Sequence, residues 1–340
     1  MKLEESIRTL LSYSLVKRSG KVDSFSIHPL VHSCARLYLN SKAERETEIA
    51  KRAFGILQWA VYIPGKKSTD DWIFEQRVMP HTDAVAKHMN EFLELGNVDV
   101  EDGDGAHIIN LANVYMEHGR YDNALKYYER ALAGKEKSLG VDHPSTLSTV
   151  HCMALVFDKQ GQYDKALTYY ERALARKEKS LGVGHPSTLA TVHNMASVFD
   201  NQGQYDKALK YNERALAGYE KSLGVDHPDT LATVHGMALV FHNQAQFDKA
   251  LKYYERALAG REKSLGVDHP STLTSVNGMA AVFDSQGQYD KALDYYERAF
   301  LGRCSRLGGN HPHTKNTHQA LFKLYEQTGR PLVTWICSPL

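Results

Sequence analysis

A chain of 340 residues with 41 Lys plus Arg against 40 Asp plus Glu has a formal charge of +1, so no global field draws it to nucleic acid or anionic lipid. The four cysteines, Cys34, Cys152, Cys304 and Cys337, form no CxxC or CxxxC pair, which argues against a disulfide framework or a zinc site and fits a reducing, cytoplasmic setting. The start, MKLEESIRTLLSYSLVKR, is charged and amphipathic where a signal peptide needs an apolar core, and no run approaches the roughly 18 apolar residues of a membrane span.

In chain order, LEESIRTLLSYSLVKR predicts a helix running into a strand, Ser19-Gly20 a turn, FSIH a returning strand and PLVHSCARLYL another helix. This helix and wing order is similar to the tail of a winged-helix domain. LLSYSLVKR followed by FSIHPLVHSCARLYL resembles the segment between the nucleotide-binding core and the C-terminal repeats of NB-ARC and related STAND (NLR-like) proteins of fungi and bacteria. The resemblance implies a nucleotide-phosphate contact at His28, although Ile27 and Pro29 depart from the family's Met-His-Asp form. Residues 1–42 are thus expected to be a small winged-helix remnant.

Residues 43–103 read as a helical connector with apolar spacing at Ile49, Ala53, Phe54, Leu57 and Ala60, then Trp72, Phe74 and Val78, then Val85, Met89 and Phe92. It ends in the acidic, glycine-containing NVDVEDGDG, Asn97 to Gly105, the main expected boundary. PGKKST at Pro64 lacks the first P-loop glycine, at Ala60, and any preceding strand-like run, so it reads as a surface turn. Without a nucleotide engine, the chain looks like the C-terminal part of a STAND regulator.

Beyond that boundary the chain repeats. His-Pro recurs at His143, His185, His227, His269 and His311, each 42 residues after the last, and an aromatic keeps the period at Tyr121, Tyr163, Tyr205, Phe247 and Tyr289. Within a unit, Pro144 suits a first helical turn and His143 a cap position, and Leu147, Val150, Met153, Ala154 and Phe157 form a buried helical stripe. Gly161 breaks that helix. A second helix opens near Tyr163 with Asp164 in its first turn, runs through Ala166, Leu167, Tyr170, Ala173 and Leu174 to Leu181, carries Lys177 and Lys179 near its end, and stops at Gly182.

The small and large residues Ala154, Phe157, Gly161, Tyr163, Ala166, Tyr170 and Ala173 resemble the tetratricopeptide (TPR) motif, and the 42-residue sentence LGxDHPxTLxTVxxMAxVFxxQGQYDKALxYYERAL looks like the variety found in kinesin light chains. The resemblance spans Ala106 to about Tyr325 and implies an all-α fold, a right-handed TPR superhelix or α-solenoid. Residues 104–308 are expected to form five hairpins. Residues 309–340 should add a capping helix and tail, with Phe322 where the other units carry alanine.

The copies form an internal alignment. Leu147, Val150, Met153, Ala154, Val156 and Phe157 keep their identity through the four units that begin at His143, His185, His227 and His269. The changes fall at Ser148, His151, Cys152, Leu155, Asp158 and Lys159 and their equivalents, spaced 0, +3, +4, +7, +10 and +11 as one side of a helix. Drift at exposed positions is the competing explanation. It is weakened because Lys165, Glu171 and Arg172 on the second helix repeat unchanged, although Thr168, Lys210, Lys252 and Asp294 at one position do vary.

The variable stripe is expected to line a concave, partner-binding groove: Asn110, Asn113, His151, Asp158, His193, Asn194, Ser197, Asp200, Asn201, His235, His242, Asn243, Asn277 and Asp284. Its chemistry predicts a polar, weakly acidic surface for a neutral or basic protein segment or extended peptide, with binding that weakens as histidine is protonated near pH 6.

The His-Pro histidines and the His151 ladder do not suit a metal, because equivalent atoms in successive repeats stand too far apart for one coordination sphere. No nucleophile sits on a strained turn with a glycine-rich oxyanion segment, so no catalytic residue or cofactor is expected. The leading expectation is a protein–protein interaction scaffold serving as the sensor arm of a STAND-type signalling protein. A kinesin-light-chain-like cargo adaptor is the alternative, although it predicts a heptad coiled coil that residues 1–100 do not contain. A winged-helix nucleic-acid binder is disfavoured by the neutral charge.

Overall fold

The structure, a computed structural model, describes residues 16–19, 24–27 and 102–330. Two compact units divide the chain, residues 1–110 and 111–340. In the first, β1 (Val16–Ser19) pairs antiparallel with β2 (Ser24–Ile27), with Val16 opposite Ile27 and Ser19 opposite Ser24. The expected strand and returning strand therefore pair, while the residues between them lie outside the described ones. His28, the neighbouring expected helices, the connector up to residue 101, the PGKKST turn and the tail after Arg330 lie outside the described residues.

Among the described residues the remaining elements are eleven helices: α1 (Asp102–Glu117), α2 (Tyr121–Ser138), α3 (Pro144–Lys159), α4 (Tyr163–Leu181), α5 (Pro186–Asn201), α6 (Tyr205–Ser222), α7 (Pro228–Asn243), α8 (Phe247–Leu265), α9 (Pro270–Ser285), α10 (Tyr289–Leu307) and α11 (Pro312–Thr328). Odd-numbered helices are the first of each hairpin and even-numbered ones the second. Each second helix packs on its own first helix and on the first helix of the next unit, while α3, α5, α7 and α9 also touch in succession. The array is an all-α solenoid.

Local chemistry explains each hairpin. The His-Pro histidines are N-caps: His143 is extended at φ −67° and ψ 138°, and its Nδ1 accepts from the Ser145 N–H at 3.2 Å. The same bond recurs from Ser187, Asp229, Ser271 and His313 to the preceding histidine at 3.1–3.2 Å. With proline at the first helical position, the cap satisfies a donor that the helix leaves free. Thr146, Thr188, Thr230 and Thr272 then bond back to the carbonyls of Gly140, Gly182, Gly224 and Gly266 at 2.7–2.9 Å, closing the loop between units. Gly161 turns the hairpin at φ +73°, where an L side chain is strained.

The predicted apolar stripe is buried in every unit, with Val150, Ala154, Tyr170 and Ala173 having no exposed surface. Outer polar residues tie neighbouring second helices together: Arg172 pairs with Glu136, Arg214 with Glu178, Arg256 with Glu220 and Arg298 with Glu262. Lys165, Lys207, Lys249 and Lys291 stand 5.3–5.6 Å from the ring centres of Phe157, Phe199, Phe241 and Phe283. The constancy of Arg172 and Lys165 among the copies thus has a structural cause, which removes part of the contrast drawn with the variable stripe.

Candidate functional site along the first helices

The stripe residues meet their counterparts in adjacent units. Asn201 Nδ2 donates to Asp158 at 3.2 Å, Asn243 Nδ2 reaches both oxygens of Asp200 at 3.0 and 3.1 Å, and His242 Nε2 lies 3.0 Å from Ser285 Oγ. Each rung joins positions 43 residues apart, at one level on successive first helices. Asp158 and Asp200 are only 9% and 8% exposed, and burial pushes their carboxyls up while the asparagine bonds oppose it.

The histidine ladder is built the same way. Asn194 Nδ2 donates to His151 Nε2 at 3.0 Å, so Nδ1 carries the proton toward Thr191 Oγ1 at 3.1 Å, and the neutral ring rests edge-on against Tyr170. His235 rests likewise on Tyr254 with Ser275 Oγ at 3.5 Å, whereas His193 Nδ1 turns to Asn212 Oδ1 at 3.2 Å. Burial, helped by Lys177 and Arg261, holds His151 and His235 down at about 3, and burial lowers His193 too. The expected protonation near pH 6 is corrected accordingly: a buried neutral ring titrates well below that value.

Of the other expected residues, Asn113 accepts from Tyr128 Oη, and Asn277 Oδ1 lies 3.0 Å from Thr317 Oγ1 and 3.4 Å from Arg303 Nη1. Asp284 is half-buried on α9 and Asn110 half-buried on α1. Ser197, Asn201 and Asn243 are exposed on α5 and α7, and Leu239, between the His235 and Asn243 levels, is 40% exposed. The stripe therefore has two layers: an inner one spent on contacts between units, which Asn201 and Asn243 join through their amides although exposed, and an outer one at Ser197 and Leu239 that faces water.

Sequence reasoning missed a row of cations. Lys177, read as a helix-end charge, is 2% exposed and reaches into the next unit, to Ser187 O at 3.2 Å and Thr191 Oγ1 at 3.1 Å. Lys135 does the same with Ser145 and Thr149, Arg261 with Ser271 O and Ser275 Oγ, and Arg303 with His313 O and Thr317. Burial pushes Lys177 down to about 8 and both arginines to about 10. The signal was a basic residue seven positions after the buried tyrosine in four of five units. Chains of cation, hydroxyl and stripe residue result, such as Lys177, Thr191 and His151.

Among the described residues no group of three His, Cys, Asp or Glu is placed to hold a metal, and no helix is long and apolar enough to cross a membrane.

The family model described as tetratricopeptide repeat matches residues 105–179, 146–221, 187–263 and 229–300, together more than half of the chain. A nucleotide-binding leucine-rich repeat (NLR)-like protein of Hyaloscypha variabilis is 31% identical over 147 residues, 43% of this chain and 14% of that protein, so the chain spans a small part of that relative. Among solved structures, nearly identical TPR-like repeats of a Podosopora anserina protein described as a kinesin light chain are 29% identical, with a TM-score of 0.49, over 58% of this chain and 93% of that one. BtubC (BKLC) from P. vanneervenii is 22% identical, with a TM-score of 0.51, over 70% of this chain and 91% of that one.

Proposed function

Because this chain belongs to the tetratricopeptide repeat family, we propose that its array binds a partner protein or extended peptide along the outer layer of the first-helix stripe, as the recognition arm of a STAND-type signalling protein. The carrying observation is that Ser197 and Leu239 face water on the side where the copies differ, whereas the constant residues are consumed by packing. The partial likeness to an NLR-like protein supports the STAND setting. The role is binding without catalysis.

A cargo-adaptor role is the second reading, favoured by the 29% identity with repeats described as a kinesin light chain. A P-loop domain encoded upstream in the same reading frame supports the first reading; a heptad coiled coil there supports the second.

The groove is tested by affinity capture with the full chain. Ser197→Arg together with Leu239→Arg should abolish recovery of polypeptides that the wild type retains, with the unfolding midpoint unchanged. Lys210→Glu, on the exposed side of α6, should leave recovery intact. Retention by the stripe variant sinks the assignment.

A further inference from the structure

We propose that the α6–α7 junction is a built-in hinge that divides the array into two separately cooperative blocks, residues 111–222 and 228–330. Four junctions share one device, and this one lacks it. At α2–α3, α4–α5, α8–α9 and α10–α11 a cation on the second helix crosses to a carbonyl and a hydroxyl of the next first helix, through Lys135, Lys177, Arg261 and Arg303 respectively. At α6–α7 the equivalent residue is Tyr219, whose hydroxyl turns back to Pro186 O on α5 of its own unit, at 3.4 Å. Thr233, the hydroxyl that would receive the bridge, donates only to Asp229 O within α7.

The aromatic plug is missing at the same place. Tyr128, Tyr170, Tyr254 and Tyr296 are at most 4% exposed between helices, whereas the equivalent Asn212 offers an amide to His193. Glycine faces both kinds of site. At Gly278 a Cβ would fall 2.6 Å from the Tyr254 ring, so the glycine makes room for the plug; at Gly236 the nearest atoms are the His193 imidazole at 3.2 Å and Asn212 at 3.6 Å, with no tyrosine ring between the helices.

Buried apolar residues follow the same division. Among fully buried residues one cluster runs from Ala154 to Tyr219 with Val240 alone from α7, and another from Met237 to Tyr325, with half-buried Leu209 of α6 packed against both. The backbones of α6 and α7 still pack against each other. Beyond that contact the blocks are linked by Leu209 and Leu216 of α6 packing against the second cluster, by Asn243 on Asp200 and, at the surface, by Arg256 on Glu220. Exposed pairs of this kind stabilise little, and in a solenoid each junction contributes its own nearest-neighbour term to cooperativity.

The test is hydrogen exchange and urea unfolding of the full chain. The wild type should unfold in two phases, with amides of α7–α11 opening separately from those of α2–α6. Asn212→Tyr with Tyr219→Lys restores plug and bridge, placing a cation beside Asp229. It should merge the phases and slow exchange in α7 about tenfold or more. The converse transplant, Tyr170→Asn with Lys177→Tyr, should create a new boundary at α4–α5. A single wild-type transition overturns the hinge, as does a transplant that lowers stability without moving the boundary.

Discussion

A neutral imidazole wedged between repeats behaves differently from one that faces a groove, and the difference is open to measurement. His151, His193 and His235 have folded-state pKa values below the ordinary 6.5 because burial disfavours their charged form. Below 6.5 the unfolded chain takes up protons that the folded chain refuses, so their contribution is intact above that pH and is lost as pH falls toward about 3. Asp158 and Asp200, raised by burial, hold protons in the folded state and offset part of the loss at the acidic end. Urea midpoints should therefore fall steadily between pH 6.5 and pH 4.5; a flat profile would contradict the buried neutral rings. The composition of this ladder was visible in the sequence, but its environment was not. His151 depends on Thr191 and Asn194, 40 and 43 residues away, and local periodicity says nothing about neighbours brought in by stacking.

Helices in this array begin where a side chain closes them. His185 accepts from the Ser187 N–H while Pro186 supplies a first turn without a donor, and the same cap opens the other four His-Pro helices. His185→Ala should lower stability by about 1 kcal/mol, and His185→Asn should restore most of it, since asparagine caps by the same geometry. Equal losses from both would show that the ring matters for packing and not for capping. At this scale the sequence was legible: period, breaks, caps and buried faces were all predicted from short spacings. The second helices hid more. Lys177 sits in the last turns, where a dipole explanation sufficed, yet its ammonium is buried against the next unit.

For the molecule as a sum of neighbouring units, the weak α6–α7 junction predicts an unusual tolerance. Excising residues 187–228, one period, would stack α4 directly on α7. Tyr170 would then face Gly236 as Tyr254 faces Gly278, Asp158 would meet Asn243, and Lys177 would meet Thr233 beside Asp229. The shortened chain should fold and unfold in one transition at a midpoint no lower than that of the full chain, as monitored by circular dichroism; aggregation or a lower midpoint would count against interchangeable junctions. The sequence by itself determined the repeating hairpin and the all-α solenoid, because caps, glycine breaks and apolar stripes act over three or four residues. Only the tertiary structure decided which polar residues serve the junctions and which face water. Ladder partners lie 36 to 43 residues apart, as with Arg172 and Glu136 or Asn201 and Asp158, and only the offset between stacked units brings them within reach.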